Sequence, residues 1–328
     1  MNSKQRVLTA LKRTGLPDRV PLQFDLGRAL LDQFGQKHNI LVDYSPSYYE
    51  DAMYRISANA LRTAMGSDCV VVGGGLPAGY NHPKTADGCI VNEFGMVMRQ
   101  GLLYMDVVGC PLANVASADE VERFPFPDPY APGRMDYAKR DIERFGADYF
   151  LIGDMELTMF EMAWHMVGLE KFMIDLVSRE PHVEALLDKC KEFSIGIGRQ
   201  LVALGVDAVW AGDDFGAQNG MMISPRLWRS VFKPRFREVF AEMKAVNPDV
   251  LICYHCDGAR FIYGHTMMLR ALGLGYQSAW AQQHLPTRRE RNAFYQAVGY
   301  RVPPGKAGVA CVRSLDPSLT PTQILARL

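Results

Sequence analysis

Three apolar runs, each closing on polar or acidic residues, constrain this chain more than any other feature. They are ADYFLIGD at 147–154, VDAVWAGDD at 206–214 and DVLICYHCDG at 249–258. Helical spacing separates them. Pro181 suits a first helical turn, and Val183, Leu187, Cys190, Ile197, Leu201 and Leu204 then form one apolar face. Ser224-Pro225 reads as a cap and first turn before Leu227, Val231, Phe232, Phe236 and Phe240. Buried strands alternating with helices define an α/β chain with parallel strands, whose chemistry sits where the strands end. A barrel and a doubly wound sheet share that property, so the pattern leaves both open.

Earlier segments repeat the theme. Val7, Leu8 and Leu11 share a helical face that Gly15 and Pro17 end, and RVPLQF at 19–24 reads as a short buried strand. The spacing predicts a helix around 50–65. After it, DCVVV at 68–72 is a strand entering the glycine triplet 73–75, which lacks phosphate-loop spacing and reads as a lid or a tight strand exit. Four prolines between 116 and 134 indicate a surface connection. Met155, Met159, Met162 and Met166 recur at helical spacing and suit core packing.

Composition excludes several classes of function. Lys plus Arg equals Asp plus Glu at 36 each, so no overall field draws the chain to nucleic acid or to an acidic membrane. No stretch reaches the roughly 18 apolar residues that span a bilayer, and the N-terminus lacks a secretory apolar segment. Seven scattered cysteines, an odd number, suit reduced thiols, so a cytoplasmic setting is expected.

The candidate chemistry lies at the strand ends. In an extended strand Cys253, His255 and Asp257 point one way and Cys256 the other, whereas a turn at 256 brings the thiol inward. His255, Asp257 and Cys256 are donor types suited to zinc. Of Asp213 and Asp214, one is expected to face the cavity and the other to cap the loop, with Asp214 preferred for chemistry. Asp154 and Glu93, in VNEFG, are further carboxylates, and Arg28 suits an anionic substrate.

RVLTALKRTGLPDRVPLQF, VNEFG, AGDDFGAQNGMMISPRLWRSVFKPRF at 211–236 and YHCDG occur in an order that resembles the uroporphyrinogen decarboxylase superfamily over residues 1–260. The likeness is nearer to the methyltransferase-like branches. It implies a (β/α)8 TIM barrel forming a single domain over 1–328. The divergent stretch 261–328 lacks the family's Asn-Pro and Gly-Gly-Ile-Asp blocks, so an atypical or incomplete C-terminal closure is expected. The implied reaction is methyl transfer between a small methoxy or methylamine-type compound and a corrinoid protein. Asp214, His255, Asp257 and Glu93 would be catalytic, and Arg28, Asp154 and Asp213 would bind substrate. The branch that uses zinc carries His-x-Cys, where this chain has His255 and Asp257 with Cys256 between them. Decarboxylation of an acidic tetrapyrrole, by a cavity Asp and arginines, is the alternative, although FDLGR stands where that branch has two arginines; a nonenzymatic barrel is another. The expected partners are a small-molecule substrate, a corrinoid protein and a second copy of the chain.

Overall fold

The computed structural model describes residues 1–50, 53–101, 105–217 and 220–256, with the side chain of residue 156 also outside the description. Asp257, Cys311 and the divergent stretch 261–328 lie outside the described residues. The elements in order are α1 (Ser3–Lys12), α2 (Arg28–His38), α3 (Asn59–Ala64), β1 (Cys69–Gly73), β2 (Ile90–Val91), β3 (Val97–Gln100) and β4 (Met105–Gly109). There follow α4 (Ala118–Arg123), α5 (Asp136–Phe145), β5 (Phe150–Glu156), α6 (Phe160–Val167), α7 (Leu169–Ser178) and α8 (Pro181–Ala203). The last are β6 (Ala208–Gly212), β7 (Gly216–Ala217), β8 (Gly220–Met221), α9 (Pro225–Val246) and β9 (Leu251–His255). The chain forms two compact units: Met1–Asp213 with Ser224–Cys253, and Asp214–Ile223 with Tyr254–Leu328.

In the first unit the principal sheet runs β1-β5-β6-β9. β5 lies parallel to both β1 and β6. Alternate side chains from all four strands meet in one cluster: Cys69, Val71, Phe150, Ile152, Ala208, Trp210, Leu251 and Cys253, joined by Val7, Leu8 and Leu11 of α1. On the opposite face Val70, Val72, Leu151, Val209 and Ala211 are also buried. A Cβ on Gly153 would lie 3.1 Å from Leu201 of α8, so helices cover that face. Burial on both sides explains why these strands read as continuous apolar runs. A separate antiparallel sheet, β2-β3-β4, intervenes in sequence between β1 and β5. No sheet among the described residues closes into an eight-stranded barrel; the α/β class with parallel strands stands.

The start of β1 is fixed by one carboxylate. Asp68, whose side chain is wholly inaccessible, accepts hydrogen bonds from Ser3 Oγ at 2.8 Å, Arg6 at 2.7 Å, two Arg19 nitrogens at 2.7 Å and Leu22 N at 2.8 Å. Arg6 also grips Asp18 at 2.6 and 2.9 Å. This network corrects the expected strand at 19–24. That segment is not in a strand, and Val20 and Leu22 are 75% and 47% exposed. Leu22 is tied to Asp68 through both its N–H and its carbonyl, which holds the segment extended without a ladder.

Two other expectations change. The helix around 50–65 shrinks to α3, because Ala58 adopts a left-handed φ of 56° immediately before it. The proline-rich connection contains α4, capped by Ser117, and buries Val121 completely. The helices at 181 and 225 form as the sequence suggests, with proline in each first turn. Within α8, Gly196 admits the Pro129 ring, which would stand 2.4 Å from an added Cβ.

Replacing Asp68 with Asn should cost about 2–4 kcal/mol in urea unfolding, less than for a wholly buried pair because Arg19 is partly exposed. Hydrogen bonds hold the Asp68 carboxyl below its ordinary range against the opposing effect of burial, and the bond from Arg6 brings Asp18 to about 2. A carboxylate whose pKa is depressed by folding stabilises the fold above its unfolded value and loses that contribution as pH falls through the folded one. Stability should therefore drop between about pH 4 and 2, and less steeply in the Asn variant. Gly196→Ala should lower stability by about 1 kcal/mol net, overpacking against a rigid ring outweighing the gain in helix propensity.

Candidate functional site

The tips of β1 and β5 form the centre of the first unit's polar region. Register pairs Gly73 with Asp154, and Asp154 with Trp210. The glycine triplet is a tight exit. A Cβ on Gly74 would stand 3.2 Å from the Tyr48 ring, and one on Gly75 3.3 Å from the Arg134 carbonyl. Tyr48 can therefore lie against the strand end, where it packs edge-on to Phe94 and Phe193. Burial pushes its hydroxyl pKa up, and the negative charges of Asp154 and Glu93 add to this against Arg134. The phenol keeps its proton.

Asp154, 6% exposed, shares the parity of Phe150 and Ile152 on β5 and lies opposite Gly73. Arg55 feels its charge: burial works against the guanidinium, but Asp154, Tyr54 and Asp25 together raise its pKa. Arg55 and Arg62 lie 3.8 and 3.2 Å from Asp25. This arrangement sets a fixed cation beside a buried carboxylate, a combination able to orient an anionic group and to stabilise positive charge on a bound ring.

Glu93 sits in a different circumstance from a free catalytic acid. Both its oxygens are held by Arg134, at 3.0 and 2.8 Å, and that guanidinium also donates to the carbonyls of Gly75 and Asp128. The bridge ties the β1 exit to the β2–β3 turn and to the end of the proline-rich connection. Asp213, fully buried, accepts from Met159 N at 3.1 Å and Glu161 N at 2.9 Å and so caps α6. The connector between β5 and α6 carries Leu157 at φ 61°. The four spaced methionines are all buried, but Met155 lies in β5 and Met159 at the α6 cap, so their spacing crosses a strand and a turn. Arg28 opens α2 and is exposed, its guanidinium 5.0 Å over the Tyr44 ring.

In the second unit Asp214 Oδ1 lies 3.8 Å from His255 Nδ1, each side chain about a third exposed. That distance permits an ion pair when the imidazole is protonated but exceeds a hydrogen bond. Cys256 carries a half-buried thiol just beyond β9. Among the described residues no group of three His, Cys, Asp or Glu is placed to hold a metal. Zinc takes at least three protein ligands, and the described donors do not supply them.

Arg55, Arg134 and Tyr48 are the site residues that motif reading passes over. None of the three carries a signal in its own stretch of sequence.

Residues 98–293 match the family model described as Uroporphyrinogen decarboxylase (URO-D). No curated protein sequence matches the chain. A methyltransferase from Methanosarcina mazei has a similar structure, with a TM-score of 0.53 and 20% identity over 84% of this chain and 74% of that one. At that identity the likeness concerns the fold. Among the described residues no helix is long and apolar enough to cross a membrane.

Glu93→Gln should lower stability by about 3 kcal/mol in urea unfolding, because it leaves Arg134 charged, buried and short of its counter-ion. A residue serving chemistry alone would leave the unfolding midpoint where it is.

Proposed function

Because the chain belongs to the uroporphyrinogen decarboxylase family, we propose that it is an enzyme that decarboxylates a small acidic substrate of the carboxylate-bearing tetrapyrrole class. The observation that carries this reading is Asp154, a buried carboxylate at the β5 tip in the field of Arg55. In the proposed reaction the bond between a side-chain methylene and its carboxylate breaks, carbon dioxide departs, and the bonding pair stays on the methylene carbon until a proton from solvent replaces it. A proton taken up by the pyrrole ring from solvent supplies the positive charge that draws those electrons, the Asp154 carboxylate stabilises that charge, and the ring proton is returned to solvent once the methylene carbon has gained its own. Arg55 binds a carboxylate that is retained, and the protonated Tyr48 hydroxyl offers a neutral donor. A closed (β/α)8 barrel belongs to the same proposal, supported by four strands of one sheet whose alternate side chains share a single cluster.

Methyl transfer involving a corrinoid protein is the second reading. It is favoured by Asp214 and His255, an acid and an imidazole able to protonate a departing oxygen, and by the fold shared with a protein described as a methyltransferase. Its corrinoid would be carried by the partner.

Purified full-length protein incubated anaerobically with uroporphyrinogen should release carbon dioxide and give products lighter by successive carboxylates, read by mass spectrometry. Asp154→Asn should lower kcat/KM about 10²–10³-fold, while Arg55→Gln should act mainly through KM. Methyl-cobalt formation from methoxy or methylamine donors with a reduced corrinoid protein, without decarboxylation, would overturn the first reading in favour of the second.

A further inference from the structure

A second polar pair lies in the first unit, at the residue that follows Tyr48. The hydroxyl of Tyr49, itself 7% exposed, stands 2.7 Å from Nδ1 of His165 on α6. Both partners are held. Ser47 Oγ accepts from Tyr49 N, Asn92 donates to the Tyr49 carbonyl, and the Asp213 cap fixes the start of α6. Neither ring ionises readily. Burial brings the imidazole pKa down to about 4 and pushes that of the phenol well above its ordinary value, with Glu50, Glu161 and Cys110 adding to the latter. A transfer of the phenol proton to the ring would leave a buried tyrosinate beside an imidazolium, so the pair is unsuited to relay protons. It is suited to hold one tautomer. Among the described residues the Tyr49 hydroxyl has no other acceptor; donation to Nδ1 would satisfy it and leave the ring's own proton on Nε2. Nε2 makes no hydrogen bond to a described residue, and His165 is half-buried.

We propose that Tyr49 and His165 form a neutral hydrogen-bond donor site for a carboxylate of the substrate, with His165 Nε2–H making the contact and Tyr49 acting as a positioning residue. The proposal rests on the reading that the substrate is acidic. A neutral donor has a definite advantage in a dehydrated site: it stabilises an oxyanion without surrendering a proton to it, and its strength does not vary with pH across the working range.

The test is nuclear magnetic resonance on the full chain labelled with ¹⁵N-histidine, with the His165 signal identified by its loss in His165→Gln. We expect the Nε2–H tautomer, no titration between about pH 5.5 and 8.5, and a saturable shift of Nε2 on adding sodium acetate that sodium chloride at equal ionic strength does not reproduce. Tyr49→Phe, with its melting temperature retained, should mix the two tautomers and weaken acetate binding about fivefold, the worth of one hydrogen bond. An Nδ1–H tautomer, protonation within that pH range, or an Nε2 signal that acetate leaves unmoved would overturn the proposal. So would an acetate affinity unchanged by Tyr49→Phe. The readout needs no turnover, so acetate binding at His165 in a protein that leaves uroporphyrinogen intact would uphold this site while rejecting the decarboxylase reading.

Discussion

The Asp68 carboxylate is the constraint on which the first unit depends. It has no contact with water and takes its hydrogen bonds from α1, from Arg19 and from the backbone of Leu22. Two segments distant from β1 in sequence, α1 and residues 19–22, thus converge on the residue that precedes it. Fixing that residue fixes which side chains of β1 turn inward: Cys69 and Val71 toward the shared cluster, Val70 and Val72 toward the opposite face. A slip of one position would exchange the two sets and move Gly73 from its place opposite Asp154. The geometry at one end of the sheet is therefore secured at the other.

Much of this arrangement is legible in the sequence because it rests on local rules. Continuous apolar runs mark the doubly covered strands, and Pro181 and Ser224-Pro225 announce the helices that follow. What escapes is decided by pairing over distance. RVPLQF has a strand's composition, yet its backbone is engaged by a side chain 46 residues away from Leu22. Glu93 looks like an available acid until Arg134, 41 residues on, occupies both oxygens. Of the adjacent acids 213 and 214, Asp213 is taken up in capping α6, 52 residues away from Glu161, while Asp214 stands near His255. Arg55 is hidden for the same reason as Arg134, since nothing in its neighbourhood in the chain reports the carboxylate it faces.

The polar region at the strand tips is nearly neutral by internal compensation. Glu93 cancels Arg134, and Arg55 is shared between Asp154 and Asp25. The two tyrosines resist ionisation because burial penalises phenolates, and His165 resists protonation for the corresponding reason. Charge in this region is thus confined to paired groups, and the unpaired donors are neutral ones. An entering anion meets, beside the already paired Arg55, neutral dipoles that are already oriented.

The antiparallel sheet between β1 and β5 has a consequence for how the chain assembles. Strands that lie side by side in the finished sheet, such as Cys69 opposite Phe150, are separated by a long excursion of chain, whereas β5 and β6 are bridged by helices that pack on them directly. Loop-closure entropy falls heaviest on the first of these pairings. The β5–α8–β6 segment is accordingly the natural place for order to begin. β1 must join an existing template late, carrying with it the glycine exit and the loop of Tyr48 and Tyr49, so the polar region would be among the last parts of the unit to acquire its final form.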